Sequence, residues 1–288
     1  MKIDLLQVPY HLGKENVGMG NGPVRYIQKG ADRALSKKGF DVRTEAIKCQ
    51  SRFEDEVGAI TEINSNLARR VKRAVADGSF PMILSGNCIS CLGVLAGLNS
   101  TKTGIIWFDA HGDSNTPENT TTNCLDGMGL AIAIGWCHRD LWKKISCIDT
   151  IPETQTILVG TRDLDTVERE NLEKSKVGMV VADGIKKFGL ANLLLPRLKD
   201  LKLEVEDVYL HIDIDVLDPL EAPGVDFRVP NGLSSKEMVQ AIKMVAKHFK
   251  IRAATLSAYN PDYEEDDKSL KVGLHLMSVI ADEVFKSR

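Results

Sequence analysis

The stretch Gly104-Ile105-Ile106-Trp107-Phe108-Asp109-Ala110-His111-Gly112-Asp113 decides the fold: an apolar run without polar alternation, closed abruptly by acid, imidazole and acid. A short run of this kind fits a strand covered on both faces, as in a parallel sheet. Ligands of such sheets gather beyond the carboxyl ends of the strands, where Asp109, His111 and Asp113 fall. The pattern returns at Val208-Tyr209-Leu210-His211-Ile212-Asp213-Ile214-Asp215-Val216-Leu217-Asp218-Pro219.

Working outward, similar runs occur at Met1–Leu6, Pro81–Leu84, Thr156–Val159, Gly178–Val181 and Ile251–Leu256. Amphipathic stretches lie between them. The clearest follows Glu54-Asp55-Glu56, with Val57, Ile60, Ile63, Leu67, Val71 and Val75 at helical spacing and Gly78 as its stop. Further helices are expected near 163–175, 188–199, 235–248 and 268–286. Strand and helix alternating from end to end predict an α/β fold with a mainly parallel sheet. No linker or repeat divides the chain, which reads as one domain over 1–288.

Composition narrows the function. The 288 residues are 43% hydrophobic and 27% charged, with a formal charge of −3, which excludes disorder and gives no electrostatic reason for nucleic acid or an anionic membrane as partner. A small-molecule substrate is expected. No apolar run reaches the roughly 20 residues of a membrane span. Six cysteines diluted over a chain that starts on a strand, not a signal peptide, predict reduced thiols and a cytoplasmic location.

In extended chain Asp109, His111 and Asp113 share one face, although a turn after His111 would redirect the last. Asp213 and Asp215 likewise point one way from an apolar strand. Acids at strand ends also cap turns, and Asp218-Pro219 reads as a turn. Two such clusters together favour a hard or borderline divalent cation, because converging carboxylates repel one another without one. Two carboxylate-bridged Mn²⁺ ions suit the donor set, with Zn²⁺ or Fe²⁺ as alternatives.

These residues resemble the ureohydrolases, the arginase and agmatinase family, over nearly the whole chain. Asp109-Ala110-His111-Gly112-Asp113 is similar to its DAHxD motif and Asp213 to Pro219 to its DxDxxDP motif; Val8-Pro9-Tyr10, Gly13, Gly18 and Gly22-Pro23 match its N-terminal pattern. The resemblance implies a three-layer α/β/α fold, two Mn²⁺ ions that activate water, hydrolysis of a guanidinium-type C–N bond, and a homo-oligomer of three or six copies. It assigns Asp109, His111, Asp113, Asp213 and Asp215 as metal ligands. Asn115 and Thr122 fall where the family contacts a substrate α-carboxylate, and Asp165 and Glu168 where it holds an α-amino group; loop and N-cap polarity is the alternative for these four.

Three positions depart from the family pattern. The histidine of its Gly-Gly-Asp-His-Ser loop is Cys88 in Ser85-Gly86-Asn87-Cys88-Ile89, either a metal ligand suited to Zn²⁺ or Fe²⁺ or an inert core thiol. The proton-shuttle histidine aligns with Asp126, an acid only if burial raises its pKa and otherwise a turn residue before Gly127. The glutamate that pairs with guanidinium aligns with Ala258, which removes a charge-assisted partner worth roughly 1.5–3 kcal/mol. Cys88 and the altered shuttle, with the segments around Asn115 and Asp163, look closer to the Nω-hydroxyarginine amidinohydrolase-like branch, which nevertheless keeps that glutamate.

The expected function is therefore a dinuclear-metal amidinohydrolase acting on a guanidino- or hydroxyguanidino-type amino-acid derivative other than ordinary arginine. A catalytically impaired regulatory or structural protein on the same fold is the alternative, and a histone-deacetylase-like amide hydrolase is a third that lacks the paired histidines. His11 could face the site or pack, with packing favoured. Trp107 and Trp136 are expected to fill core or interface, His211 to hydrogen-bond a ligand carboxylate, and Glu264-Glu265-Asp266-Asp267 to form a solvated turn, with a place on the site's rim as the alternative.

Overall fold

A computed structural model describes residues 1–50, 55–264 and 266–286. Glu54 and Glu265, which figure in the expectations above, lie outside the described residues. Eight strands form the main sheet: β1 (Lys2–Val8), β2 (Asp41–Ala46), β3 (Phe80–Ser85), β4 (Thr103–Phe108), β5 (Thr156–Val159), β6 (Gly178–Val180), β7 (Asp207–Asp213) and β8 (Lys250–Ser257). Their order is β2-β1-β3-β8-β7-β4-β5-β6, and every neighbouring pair is parallel.

Strand alternation divides the core into two layers. Ile3 and Leu5, Phe80 and Met82, Ile106 and Phe108, and Val208 and Leu210 face the helices Leu190–Glu204, Ser235–His248 and Lys268–Lys286. Leu6, Ile83, Ile105, Trp107 and Tyr209 face the other side, under the helices Glu56–Ala76 and Cys91–Leu98. The result is the expected α/β/α sandwich. No described helix is long and apolar enough to cross a membrane.

The helix Glu56–Ala76 starts where Asp55 accepts the Gly58 N–H at 2.6 Å. It buries Ile60, Ile63, Leu67 and Val71, while Val57 is exposed. The helix expected from 163 begins later, at Thr166, because Asp165 and Glu168 form a capping box; the one expected over 188–199 runs from Leu190 to Glu204. Several regular segments carried no expectation, among them strand β2 and the helices Asn21–Gln28, Ala31–Lys37, Cys91–Leu98, Gly129–Ala133, Arg139–Ile145 and Ala182–Phe188.

Parallel pairing places every strand's carboxyl end on one edge. Phe108 lies beside Ile212, Ser257 beside Asp213, and Leu256 beside Leu84, so the residues following β3, β8, β7 and β4 emerge side by side. The helix carrying Cys88's continuation, Cys91–Leu98, is seated by close packing. A Cβ on Gly97 would lie 2.6 Å from Val71 Cβ and 2.7 Å from the Ala68 carbonyl, and Asn64 accepts the Gly93 N–H at 2.8 Å. Gly97→Ala is therefore expected to destabilise the protein by about 1–3 kcal/mol through overpacking, read as a lower midpoint in urea unfolding with an unchanged m-value.

Candidate metal centre

The six expected ligands converge at that edge. Two donor groups are close enough to share ions: Cys88 with Asp109 and Asp113, and Asp109 with His111 and Asp215. Asp109 belongs to both. Asp213 joins them, accepting the Cys88 thiol at 2.9 Å and the Asp215 N–H at 2.8 Å. The chain leaves the strand at Phe108, and Asp113 takes a left-handed φ of 45°, so a turn does redirect it and delivers it to Cys88's side of the cluster. Gly112 permits this turn to pass under Glu168: a Cβ there would sit 2.4 Å from Glu168 Oε1.

Charge crowding defines the electrostatics. Burial, then repulsion from Asp215, holds Asp109 above the usual carboxylate range. Burial followed by Asp109 does the same to Asp113, and burial followed by Asp215 and Asp109 to Asp213, both more strongly. Burial works against charge on His111 too, but Asp215 Oδ2 at 3.0 Å and Asp109 Oδ1 at 3.3 Å pull its pKa up. Asp215 is in turn drawn below its ordinary value, despite burial, by that imidazole. Such a cluster takes up positive charge, either as protons or as divalent cations that displace them. Mixed carboxylate, imidazole and thiol donors fit a borderline transition metal.

Behind the ligands lies a buried support. Trp107 Nε1 donates to Asp109 Oδ2 at 2.9 Å, so Trp107 fills the core and also holds a ligand. Its indole stacks on His211, with ring centroids 3.7 Å apart and planes 14° from parallel. Contrary to expectation, His211 bonds no ligand carboxylate: it contacts the Tyr209 hydroxyl at 2.8 Å and the Ser257 hydroxyl at 3.2 Å, and Ser257 Oγ lies 3.1 Å from Cys88 Sγ. The stack turns its ring edge toward strand β8 instead. Burial lowers its pKa to about 3, so the imidazole is neutral. Burial and then Asp213 push the Cys88 thiol up.

Above the ligands opens a cavity of about 390 Å³. Asn115, Thr122, Asp165 and Glu168 all line it. Asn115 Nδ2 donates to Asp165 Oδ2 at 3.3 Å, whereas Glu168 is spent on structure, accepting the Ser114 N–H and hydroxyl, each at 3.0 Å, and the Asp165 N–H at 3.3 Å. Asp126 also lines the wall. It is more than a turn residue: its carboxylate accepts the Ile89 N–H at 2.9 Å and the Asn87 side-chain amide, clasping the loop on both sides of Cys88. Burial raises its pKa to about 6 against those donors.

Sequence reading missed part of this wall. His11, expected to pack, faces the cavity and accepts the Met19 N–H on Nδ1 at 3.3 Å. Asp226 and Phe227 line it as well, with the Phe227 ring edge-on to His111 at 5.9 Å. Their only signal was a place in the loop after the second acidic motif. As expected, Trp136 is partly buried with Nε1 on Glu153, and Asp218 closes a turn by accepting the Leu220, Asn231 and Gly232 N–H groups. The acids expected in a solvated turn are instead engaged: Glu264 accepts the Tyr259 hydroxyl and the Ser269 and Leu270 N–H groups, and Asp267 pairs with Arg25 and Lys29. A larger cleft, about 820 Å³, opens between β2 and the helix Glu56–Ala76. Its Arg70 is paired with Glu45, and neither donor group faces it.

Comparison with known proteins places nearly the whole chain in one family. The model of the Arginase family matches residues 1–281. The arginase of Bacillus caldovelox is 30% identical over 294 residues, which cover 98% of each chain. The crystal structure of arginase from Bacillus cereus superposes with a TM-score of 0.89 at 27% identity over 97% of both chains, and that from Bacillus subtilis with 0.87 at 28% identity over 97% of this chain and 98% of the other. The chain belongs to the arginase family.

Proposed function

We propose that the protein is a metal-dependent hydrolase that cleaves a C–N bond in a guanidino- or hydroxyguanidino-type amino-acid derivative, and that ordinary arginine is not its preferred substrate. The observation that carries the reading is the pair of donor groups sharing Asp109 at the floor of one acidic cavity whose position 258 offers only a methyl group. Cys88, Asp109 and Asp113 would hold one ion and Asp109, His111 and Asp215 a second, with Asp213 between them. Bound there, Mn²⁺, Zn²⁺ or Fe²⁺ supplies hydroxide at neutral pH by lowering the pKa of water.

The chain's own side chains do the rest. Trp107 and the Ala110 N–H, which donates to Asp215 Oδ1 at 3.1 Å, fix the ligand carboxylates in place. Asn115 and Asp165, already bonded to each other, present an amide and a carboxylate to the amino-acid end of a substrate, with Thr122 beside them on the rim. Glu168 holds Ser114 and so the loop that carries Asn115. Asp126, whose pKa burial raises to about 6, is the acid of the wall that we assign to protonating a departing amine. A hydroxyguanidine is less basic than a guanidine and asks less of both the acid and the missing glutamate. Family resemblance adds an assembly of three or six copies in the cytoplasm, which light scattering on the purified protein would check.

Metal content gives the first test. After desalting, the wild type is expected to keep close to two equivalents of Mn²⁺ by elemental analysis, Asp109→Ala to lose both and Asp113→Ala to lose one; a wild type without metal would sink the reading. Replacing the thiolate donor by Cys88→His should shift retention under chelator from Zn²⁺ toward Mn²⁺. In steady-state assays of the loaded enzyme, kcat/KM for Nω-hydroxyarginine should exceed that for arginine by about tenfold, the scale of one lost charge-assisted bond. Faster turnover of arginine would overturn the substrate assignment.

A further inference from the structure

The loop after the second acidic motif carries a carboxylate, Asp226, outside the metal cluster and with only one oxygen bonded among the described residues. This loop is latched onto the end of β8. The Asn260 N–H donates to the Gly224 carbonyl at 2.8 Å, and Asn260 Nδ2 donates to Asp226 Oδ1 at 2.6 Å. Tyr259 closes against the same loop, since a Cβ on Gly224 would lie 3.0 Å from its Cε2. Asn260 is buried and so holds Asp226 from behind. Asp226, bonded to Asn260 two residues beyond Ala258, and Ala258 itself both line the cavity.

Ala258 has a left-handed φ of 63° at this point. A non-glycine residue there is strained and is kept where surrounding structure dictates it. The bend leaves a methyl group where the family presents a long carboxylate. Meanwhile Asp226 spends only Oδ1, on Asn260, and Oδ2 has no protein donor among the described residues. Among the other acids of the wall, Asp126 is held by the Cys88 loop, Glu168 by Ser114 and Asp165 by Asn115. Asp113, Asp213 and Asp215 belong to the donor cluster, and Asp163 is exposed beside His111. Among the described residues no lysine or arginine lines the cavity.

We propose that Asp226 receives the cationic head group of the substrate, a guanidinium or hydroxyguanidinium, in the space that Ala258 leaves open. This assignment rests on the hydrolase reading above and names the specificity-determining residue of that site. With one oxygen held by Asn260, Asp226 offers a single charge-assisted bond instead of the two-pronged grip of a free carboxylate on guanidinium. A head group with weaker basicity loses less by that exchange. Asn260 acts through Asp226 as its positioning residue.

The test compares binding of a cation and its neutral isostere by calorimetry on the Mn²⁺-loaded protein, using L-arginine and L-citrulline. Asp226→Asn keeps the shape and the bond to Asn260; it is expected to weaken arginine about tenfold while leaving citrulline unchanged, so that the ratio of the two dissociation constants collapses. Asp226→Glu, which keeps the charge, should preserve a preference for the cation, and Ala258→Glu in the Asp226→Asn background should restore it. Hydrolysis of a guanidino substrate by the wild type, with a binding ratio untouched by Asp226→Asn, would overturn the assignment of Asp226 alone. A wild type that neither binds nor hydrolyses any guanidino compound would overturn it together with the hydrolase reading.

Discussion

Asp109, Asp213 and Asp215 are almost wholly removed from water within a few ångströms of one another, and the demand of that cluster for positive charge organises everything around it. Only a parallel sheet could assemble it from such distant segments, because it alone turns all its carboxyl ends to one edge. Fixed donors then hold each carboxylate at its post: the Trp107 indole for Asp109, the Ala110 N–H for Asp215, and the Asp215 N–H for Asp213. Burying these groups costs several kcal/mol each unless charge is compensated, so the fold around them is built to receive a cation.

Much of this was legible in the sequence for a definite reason. Strands buried on both faces appear as runs dominated by apolar residues, as in β3, β4 and β5, and with a few polar interruptions in β7 and β8. The two acidic motifs stand out because acids interrupt such runs at their ends. Strand β2 was missed because it lies at the sheet's edge with one neighbour, and Asp41-Val42-Arg43-Thr44-Glu45-Ala46 carries no apolar run to betray it. The helix Cys91–Leu98 is buried on every side and shows no polar face, so its periodicity is silent. Asp226, an isolated acid in a loop, has meaning only once folding sets it beside Ala258. His211 was read by adjacency to Asp213, whereas its partners are Tyr209 two residues back and Ser257 and Trp107 on the neighbouring strands.

The three departures from the family pattern look independent along the chain, yet in space they form one unit. Asp126 grips the residues on either side of Cys88, and Cys88 lies 3.1 Å from Ser257, the neighbour of Ala258. Exchange of a histidine for a thiol, of a second histidine for a buried acid, and of a glutamate for alanine therefore altered one contiguous wall of the cavity. Substituting any one of them back in isolation would place it among neighbours shaped for the other set, and such contacting residues are where additivity fails.

The stack of Trp107 on His211 links this wall to the middle of the protein. The same indole plugs the core on one sheet face, covers a neutral imidazole and steadies a carboxylate. Any change at position 107 that repacks the interior would therefore also disturb the carboxylate that the indole holds and the imidazole that it covers.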